Sequence, residues 1–255
     1  MTNPTSALLV KPIHLVPSAV RLTTPLAQHL RKSLRGDVLF DAASRGRYAT
    51  DASIYQITPI GVVVPRDQDD LRIALDIARS EKVPLLARGA GTSQCGQTVG
   101  EALVIDTSKW LNNIIAFDAD ARTVTVEPGV VLDHLNAWLK PHGLWFPVDV
   151  STAAQCTIGG MAGNNSCGSR SIEYGNMVHN VDAIDAILAD GLAALARARA
   201  AREQRHFLAP GNLQCDAQIV LIARHHHTDR RDLIDRRVGG ITAAACRIEQ
   251  HVAAQ

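Results

Sequence analysis

Residues 85–100 read LLARGAGTSQCGQTVG, and the meaning of this stretch decides the fold. A short apolar run ends in Arg88, and Gly89, Gly91 and Gly96 then open the backbone. A chain that must approach a phosphate closely carries no side chains there and turns its N–H groups onto the anion. RGAGTSQCGQ meets that requirement, with Thr92 and Ser93 adding hydroxyl donors. Two familiar phosphate loops do not fit. A triphosphate loop ends in G-K-[ST], and no lysine occurs between Lys82 and Lys109. The dinucleotide fingerprint G-x-G-x-x-G fails because Gln94 stands where its third glycine belongs. Both templates also need a helix after the loop, whereas ALVIDTS from Ala102 reads as a strand. Taken by itself, the segment is also compatible with a plain glycine turn between two strands.

Working outward, GVVVP from Gly61 and VPLLAR from Val83 are β-branched or apolar runs bounded by proline or glycine, as strands are. Between them RDQDDLRIALDIARSEK sets Leu71, Leu75 and Ala78 on one helical face. Upstream, PLAQHLRKSL repeats leucine at 26, 30 and 34, the spacing of a packing helix, so residues 1–50 read as a helical lead. Downstream, NIIAFD and RTVTVEPG are strand-like, the latter alternating polar and apolar residues up to Pro128 and Gly129. VVLDHLNAWLKPHG places Leu132, Leu135 and Leu139 on one helix face and stops at Pro141 and Gly143.

A second glycine-rich stretch, TIGGMAGNNSCG, begins at Thr157 and is followed by VDAIDAILADG, one more strand and turn. It gathers Gly159, Gly160, Asn164, Asn165, Ser166 and Gly168, a dense set of small groups and amide donors. Two such loops about sixty residues apart in one small α+β unit point to a long diphosphate ligand gripped from two sides. From Leu192 the character changes. LAALARARAAREQRH reads as an Ala/Arg helix, and RHHHTDRRDLIDRR is crowded with charge, so 192–255 reads as a solvated helical tail with no evident core.

Together, PLLARGAGTSQCGQ, VTVEPGV, GLWFPVDVSTAAQCTIGGMAGNNSCG and YGN with ILADG resemble the FAD-binding (PCMH-type) domain of the vanillyl-alcohol oxidase/p-cresol methylhydroxylase flavoproteins. Within that family they are most similar to the FAD-linked D-2-hydroxyacid dehydrogenases of D-lactate, glycolate and D-2-hydroxyglutarate type. The resemblance runs from about Ala49 to Gly191. It implies an α+β domain over 51–191 built of two subdomains with the cofactor between them. Carried over residue by residue, Arg88, Gly89, Ala90, Gly91, Thr92 and Ser93, with Gly96 and Gln97, resemble the loop on the FAD pyrophosphate. Pro147, Asp149 and Ser151 resemble the segment passing along the flavin. Thr157, Ile158, Gly159, Gly160, Ala162, Asn164, Ser166 and Gly168, then Tyr174 and Gly175, resemble the second cofactor loop. Some members attach the flavin through a histidine of the first loop; Thr92 stands in that place here, which implies non-covalent FAD.

The bulk properties set limits on partners. With 46% apolar and 20% charged residues and a net charge of +1, the chain has no electrostatic footprint for nucleic acid. No apolar run reaches membrane length, and the proline-broken N-terminus lacks a secretory pattern, so the expected location is the cytoplasm. Cys95, Cys156, Cys167, Cys215 and Cys246 form no C-x-x-C and read as ordinary buried or loop thiols. His134 and His142 read as structural, and His225, His226 and His227 would point in different directions on a helix, so no metal is expected.

In the family the base and the carboxylate-binding residues come largely from a substrate domain after the FAD domain. RRVGG at 236–240 resembles a family segment that continues into tyrosine and asparagine, but here ITAAAC follows. No catalytic residue is therefore assigned. The expected activity is oxidation of a D-2-hydroxyacid by hydride transfer to flavin. The alternative is an FAD-binding fragment or subunit that lacks the substrate domain and works with a partner subunit or electron acceptor, or turns over nothing.

Overall fold

The structure is a computed structural model that describes residues 24–187 and the backbone of strand residues 193–197, 215–222 and 224–225. Its first layer begins with helix α1 (Pro25–Ser33), strand β1 (Asp37–Leu39) and the short helix α2 (Ala42–Arg47). Strand β2 (Gly61–Val64), helix α3 (Gln68–Ser80), strand β3 (Leu85–Arg88) and strand β4 (Leu103–Asp106) follow. The sheet order is β1-β2-β4-β3, with β2, β4 and β3 parallel and β1 antiparallel at the edge.

Parallel strands are covered on both faces, and the burial shows it. Val63, Leu103 and Ile105 pack under Leu30 of α1 and Leu71, Ala74, Leu75 and Ala78 of α3. Val62, Val64 and Val104 point the other way, against Leu39, Tyr48 and Leu86. Asp67 caps α3 by accepting the Asp69 and Asp70 N–H groups, at 3.1 and 3.0 Å. The carboxylate of Asp70, almost wholly buried, accepts from the backbone N–H of Arg35 and Arg66, both at 3.0 Å, and so ties the lead to the helix.

The second layer starts with strands β5 (Ile114–Asp118) and β6 (Thr123–Val126) and helix α4 (Leu132–Leu139). Strand β7 (Leu144–Trp145) and the short helices α5 (Ile158–Gly163), α6 (Ser171–Tyr174) and α7 (Met177–Asn180) lead into strand β8 (Val181–Ile187). Strands β9 (Ala193–Arg197) and β10 (Cys215–Ile222) complete an antiparallel sheet of order β5-β6-β10-β8-β9, and β11 (Arg224–His225) pairs with β7. Its core joins Val124 and Val126 to Leu132, Leu135 and Leu139 of α4, Ile158 and Met161 of α5, and Ile184 of β8. Ile187, at the far end of β8, packs instead into the first core. The expected α+β unit of two subdomains is present.

Two expectations are corrected. The lead is not wholly helical, because Asp37–Leu39 forms β1 against β2. Three residues show no helical or strand period of their own, so only the neighbouring edge reveals them. Residues 193–197 are not a helix either. They form β9 against β8, although alanine has the highest intrinsic helix propensity: pairing with a waiting strand outweighs a few tenths of a kcal/mol per residue. The tail likewise supplies β10, a central strand of the second sheet. His225 lies in β11, while His226, His227, Cys246 and 236–240 lie outside the described residues.

Candidate functional site

The loop after β3 is built around Arg88. Its guanidinium donates to the carbonyls of Tyr48 (3.3 Å), Thr98 (3.0 Å) and Thr50 (2.8 Å) and lies 5.2 Å from the centre of the Tyr48 ring. Burial pulls its pKa below the usual arginine value, while Asp106, Tyr48 and Asp51 act against that pull. Arg88 is thus spent on carbonyls and shapes the loop from beneath. Gly91 shows why no side chain fits above it: its φ is +70°, and a Cβ there would fall on the Arg88 guanidinium.

Residues 48–53 form the wall behind the loop. The Ala52 N–H donates to the Gly91 carbonyl at 3.2 Å. Asp51 accepts from the Thr98 hydroxyl at 3.0 Å and from the Ser53 N–H at 2.8 Å. Burial would raise the Asp51 pKa, but these bonds prevail and hold it below the usual carboxylate value. Tyr48 donates its hydroxyl to the buried Asp106 at 2.6 Å, and burial together with that carboxylate raises the phenol pKa well above its ordinary value. Sequence reasoning assigned no role to Tyr48, Asp51 or Thr98. The D-x-S spacing of Asp51 and Ser53, a side-chain-to-backbone turn, was a usable signal for the wall.

The upper side of the loop is different. Among the described residues, the N–H groups of Gly89, Ala90, Gly91, Thr92, Ser93 and Gln94 donate to nothing. Ser93 closes the far end, accepting from the Cys95 N–H and donating to Gln97, both at 3.2 Å. No charged side chain stands between Gly89 and Thr98. A run of unspent backbone donors on a glycine-bent loop is the arrangement that binds a polyanion without lysine.

The second glycine-rich stretch meets the first at one point, where a Cβ on Gly89 would fall on the Thr157 hydroxyl. Its donors, however, are mostly spent. Ile158 and Gly159 give their N–H groups to Val130 and Pro128, each at 2.8 Å, and Gly160 gives its own to the capping Thr157 hydroxyl at 3.3 Å. Its opening residues are a helix, α5, whose Ile158 and Ala162 point into the second core. The second stretch therefore offers fewer unspent backbone donors than the first among the described residues. It exposes Gly160 and Asn164, whose amide donates to Ser166 at 3.4 Å.

Asp149 links the remaining segment to this stretch. It accepts from the Ser169 hydroxyl at 2.6 Å and the Arg170 N–H at 2.9 Å, and a Cβ on Gly168 would fall on its backbone. Pro147 is buried and Ser151 exposed, so the segment PVDVST turns outward as it runs. Tyr174 meets Trp145 edge to face at 5.4 Å, and Gly175 closes α6 at a φ of +79°. Of the thiols, Cys95 and Cys167 are exposed and Cys156 is buried. His142 packs against Phe117 and Trp138, with ring centres 4.6 and 5.1 Å away.

A family model described as FAD binding domain matches residues 59–194, just over half of the chain. D-2-hydroxyglutarate dehydrogenase of Pseudomonas putida is 38% identical over 212 residues, covering 81% of this chain and 21% of that protein. The glycolate oxidase subunit GlcD of Bacillus subtilis is 37% identical over 157 residues, covering 60% of this chain and 33% of its own. Among solved structures, an alkyldihydroxyacetonephosphate synthase superposes with a TM-score of 0.69 at 17% identity, over 80% of this chain and 41% of that one. That likeness shows a shared fold. The chain thus spans about a fifth to a third of the curated relatives named here.

Proposed function

This chain belongs to the FAD binding domain family, and from that premise we propose that it holds FAD non-covalently as the cofactor-binding part of an enzyme oxidising a D-2-hydroxyacid. The observation that carries the reading is the row of N–H groups from Gly89 to Gln94, unspent among the described residues, on a loop without charged side chains. These residues fit a dianionic pyrophosphate. Gly89, Ala90, Gly91, Thr92 and Ser93 would hold it, with Gly96 and Gln97 closing the loop. Arg88 and Asp51 keep that loop in shape. Asp149, Ser151, Asn164, Ser166, Tyr174 and Gly175 would line the path of the rest of the cofactor. When bound, FAD supplies a two-electron acceptor for the substrate's hydride.

The substrate class follows from the relatives, which are named as D-2-hydroxyglutarate dehydrogenase and a glycolate oxidase subunit. The chain's residues receive binding and positioning roles, and no base is assigned among them. That one relative is named as a subunit supports a partner chain completing the enzyme. A cytoplasmic location is part of the same proposal, and no helix among the described residues is long and apolar enough to cross a membrane.

The visible spectrum of the purified full chain tests the reading. Flavin absorbance that passes into the supernatant on acid precipitation supports non-covalent FAD; flavin that stays with the pellet overturns that part. Bleaching by D-2-hydroxyglutarate, D-lactate or glycolate without oxygen supports the oxidoreductase. A yellow chain that none of them bleaches supports the second reading, a cofactor-binding piece that turns over nothing alone, which the 21% coverage of the Pseudomonas protein favours. A colourless chain that FAD does not reconstitute sinks both.

A further inference from the structure

Arg88 and Arg170 flank the two glycine-rich stretches, and their guanidinium groups are in opposite states. Arg88 gives its terminal nitrogens to three carbonyls. Arg170, just beyond Gly168 and Ser169, stacks its guanidinium 4.5 Å from the centre of the Trp145 ring. Its Nε lies 3.6 Å from Asp149 Oδ2. Its two terminal nitrogens donate to nothing among the described residues, and its side chain is 55% exposed.

An arginine of this kind is oriented in advance. The indole face sets the plane of the guanidinium, and Asp149 lies on its Nε side at ion-pair distance, so less side-chain entropy is lost when the outer edge takes a ligand. Asp149 offsets part of the charge from the Nε side and leaves the outer edge without a partner among the described residues. Burial would raise the Asp149 pKa, but the Ser169 hydroxyl, the Arg170 N–H and the Arg170 charge hold it below the usual carboxylate value, so it stays an ionised acceptor on the inner side. Arg66, the comparable surface arginine, sits 5.3 Å from the Trp110 ring without any carboxylate on its edge among the described residues.

We propose that Arg170 is an oxyanion-binding residue, its free edge gripping a carboxylate or phosphate beside the second glycine-rich stretch. The planar fork matches two oxygens of either group. Two sources share this chemistry: the carboxylate of a hydroxyacid substrate and the pyrophosphate of the cofactor. The proposal rests on the FAD reading only for which source applies, not for whether an anion binds.

The test uses the FAD-free full chain labelled with 15N-arginine, with the Arg170 Nε–H resonance identified by its loss in Arg170→Lys. Inorganic pyrophosphate and D-2-hydroxyglutarate are titrated separately, with chloride as the control. A saturable shift with pyrophosphate alone assigns the cofactor as the source, and one with the hydroxyacid alone assigns the substrate. Arg170→Gln, followed by protein fluorescence, should raise the dissociation constant of the effective anion about tenfold, or about 1.4 kcal/mol. Trp145→Leu keeps the charge but removes the stack and should weaken binding less; it also serves if Arg170→Gln fails to fold. No shift with either anion, or an equal shift with chloride, overturns the proposal. Flavin retention by the wild-type chain separately reports whether the earlier reading stands.

Discussion

The Thr157 hydroxyl occupies the place a Cβ on Gly89 would take, so the loop after β3 and the cap of α5 meet without room for a methyl group. That hydroxyl also accepts the Gly160 N–H at 3.3 Å and cannot simply rotate away. Gly89→Ala should therefore cost about 1–3 kcal/mol as an overpacking change and weaken FAD retention. In a Thr157→Ala background, itself about 1 kcal/mol less stable through the lost cap, the same change should cost markedly less. Urea midpoints of the four proteins measure the coupling. Equal costs in both backgrounds would mean the contact is not what excludes the side chain.

Arg88 is the support beneath the donor loop, and its removal acts through carbonyls. Arg88→Met leaves the Thr50 and Thr98 carbonyls without their donors, at a cost of about 1–3 kcal/mol. Arg88→Lys keeps the charge but offers one nitrogen where three carbonyls converge, so it should recover less than half of the loss. FAD affinity should fall in step with stability. If Arg88→Lys restores FAD binding fully, the residue acts as a point charge on the pyrophosphate instead.

These two residues show how far the sequence could be read. Spacing alone placed the glycine loop at the end of a strand, because glycines and a β-branched run are local signals. Which way Arg88 pointed was not local: its partners lie 38 and 40 residues upstream, in Thr50 and Tyr48. The glycines and amides of the second stretch point to a donor loop. Its N–H groups are used by Pro128 and Val130, contacts set only when the two halves of the second layer close. Strand β9 was hidden by alanine, whose propensity argues for helix until β8 offers an edge. Periodic helices such as α1, α3 and α4 were legible because amphipathic burial is written in leucine spacing.

Tyr48 isolates one buried hydrogen bond. Tyr48→Phe keeps the ring beside Arg88 but leaves Asp106, 6% exposed, without the phenol that donates to it at 2.6 Å. The expected loss is about 1–3 kcal/mol at neutral pH. Because burial and Asp106 raise the phenol pKa, the bond's contribution is intact below the unfolded value of about 10 and declines as pH rises beyond it. Wild type and Tyr48→Phe should thus converge in urea midpoint at strongly alkaline pH. A constant gap from neutral to alkaline conditions would detach the effect from this bond.

Acid should act on the opposite side of the molecule's pH range, through Asp149 and Asp51. For Asp149, burial would raise the pKa, but the Ser169 hydroxyl, the Arg170 N–H and the Arg170 charge prevail and hold it below the usual carboxylate value. For Asp51, bonds from Ser53 and Thr98 overcome burial in the same way. A carboxyl depressed on folding stabilises the fold above its unfolded pKa, near about 3.9, and that stability is lost as pH falls through the folded value. The chain should therefore lose stability on acidification below about pH 4. Asp149→Asn cannot carry the charge, so its deficit relative to wild type should be largest at neutral pH and shrink below that point. Because the variant removes the negative charge beside Arg170 Nε, it should also strengthen the anion response of the Arg170 Nε–H at neutral pH. Urea midpoints at pH 7 and pH 3 decide the first part. A deficit that grows on acidification would show that Asp149 is not ionised in the fold.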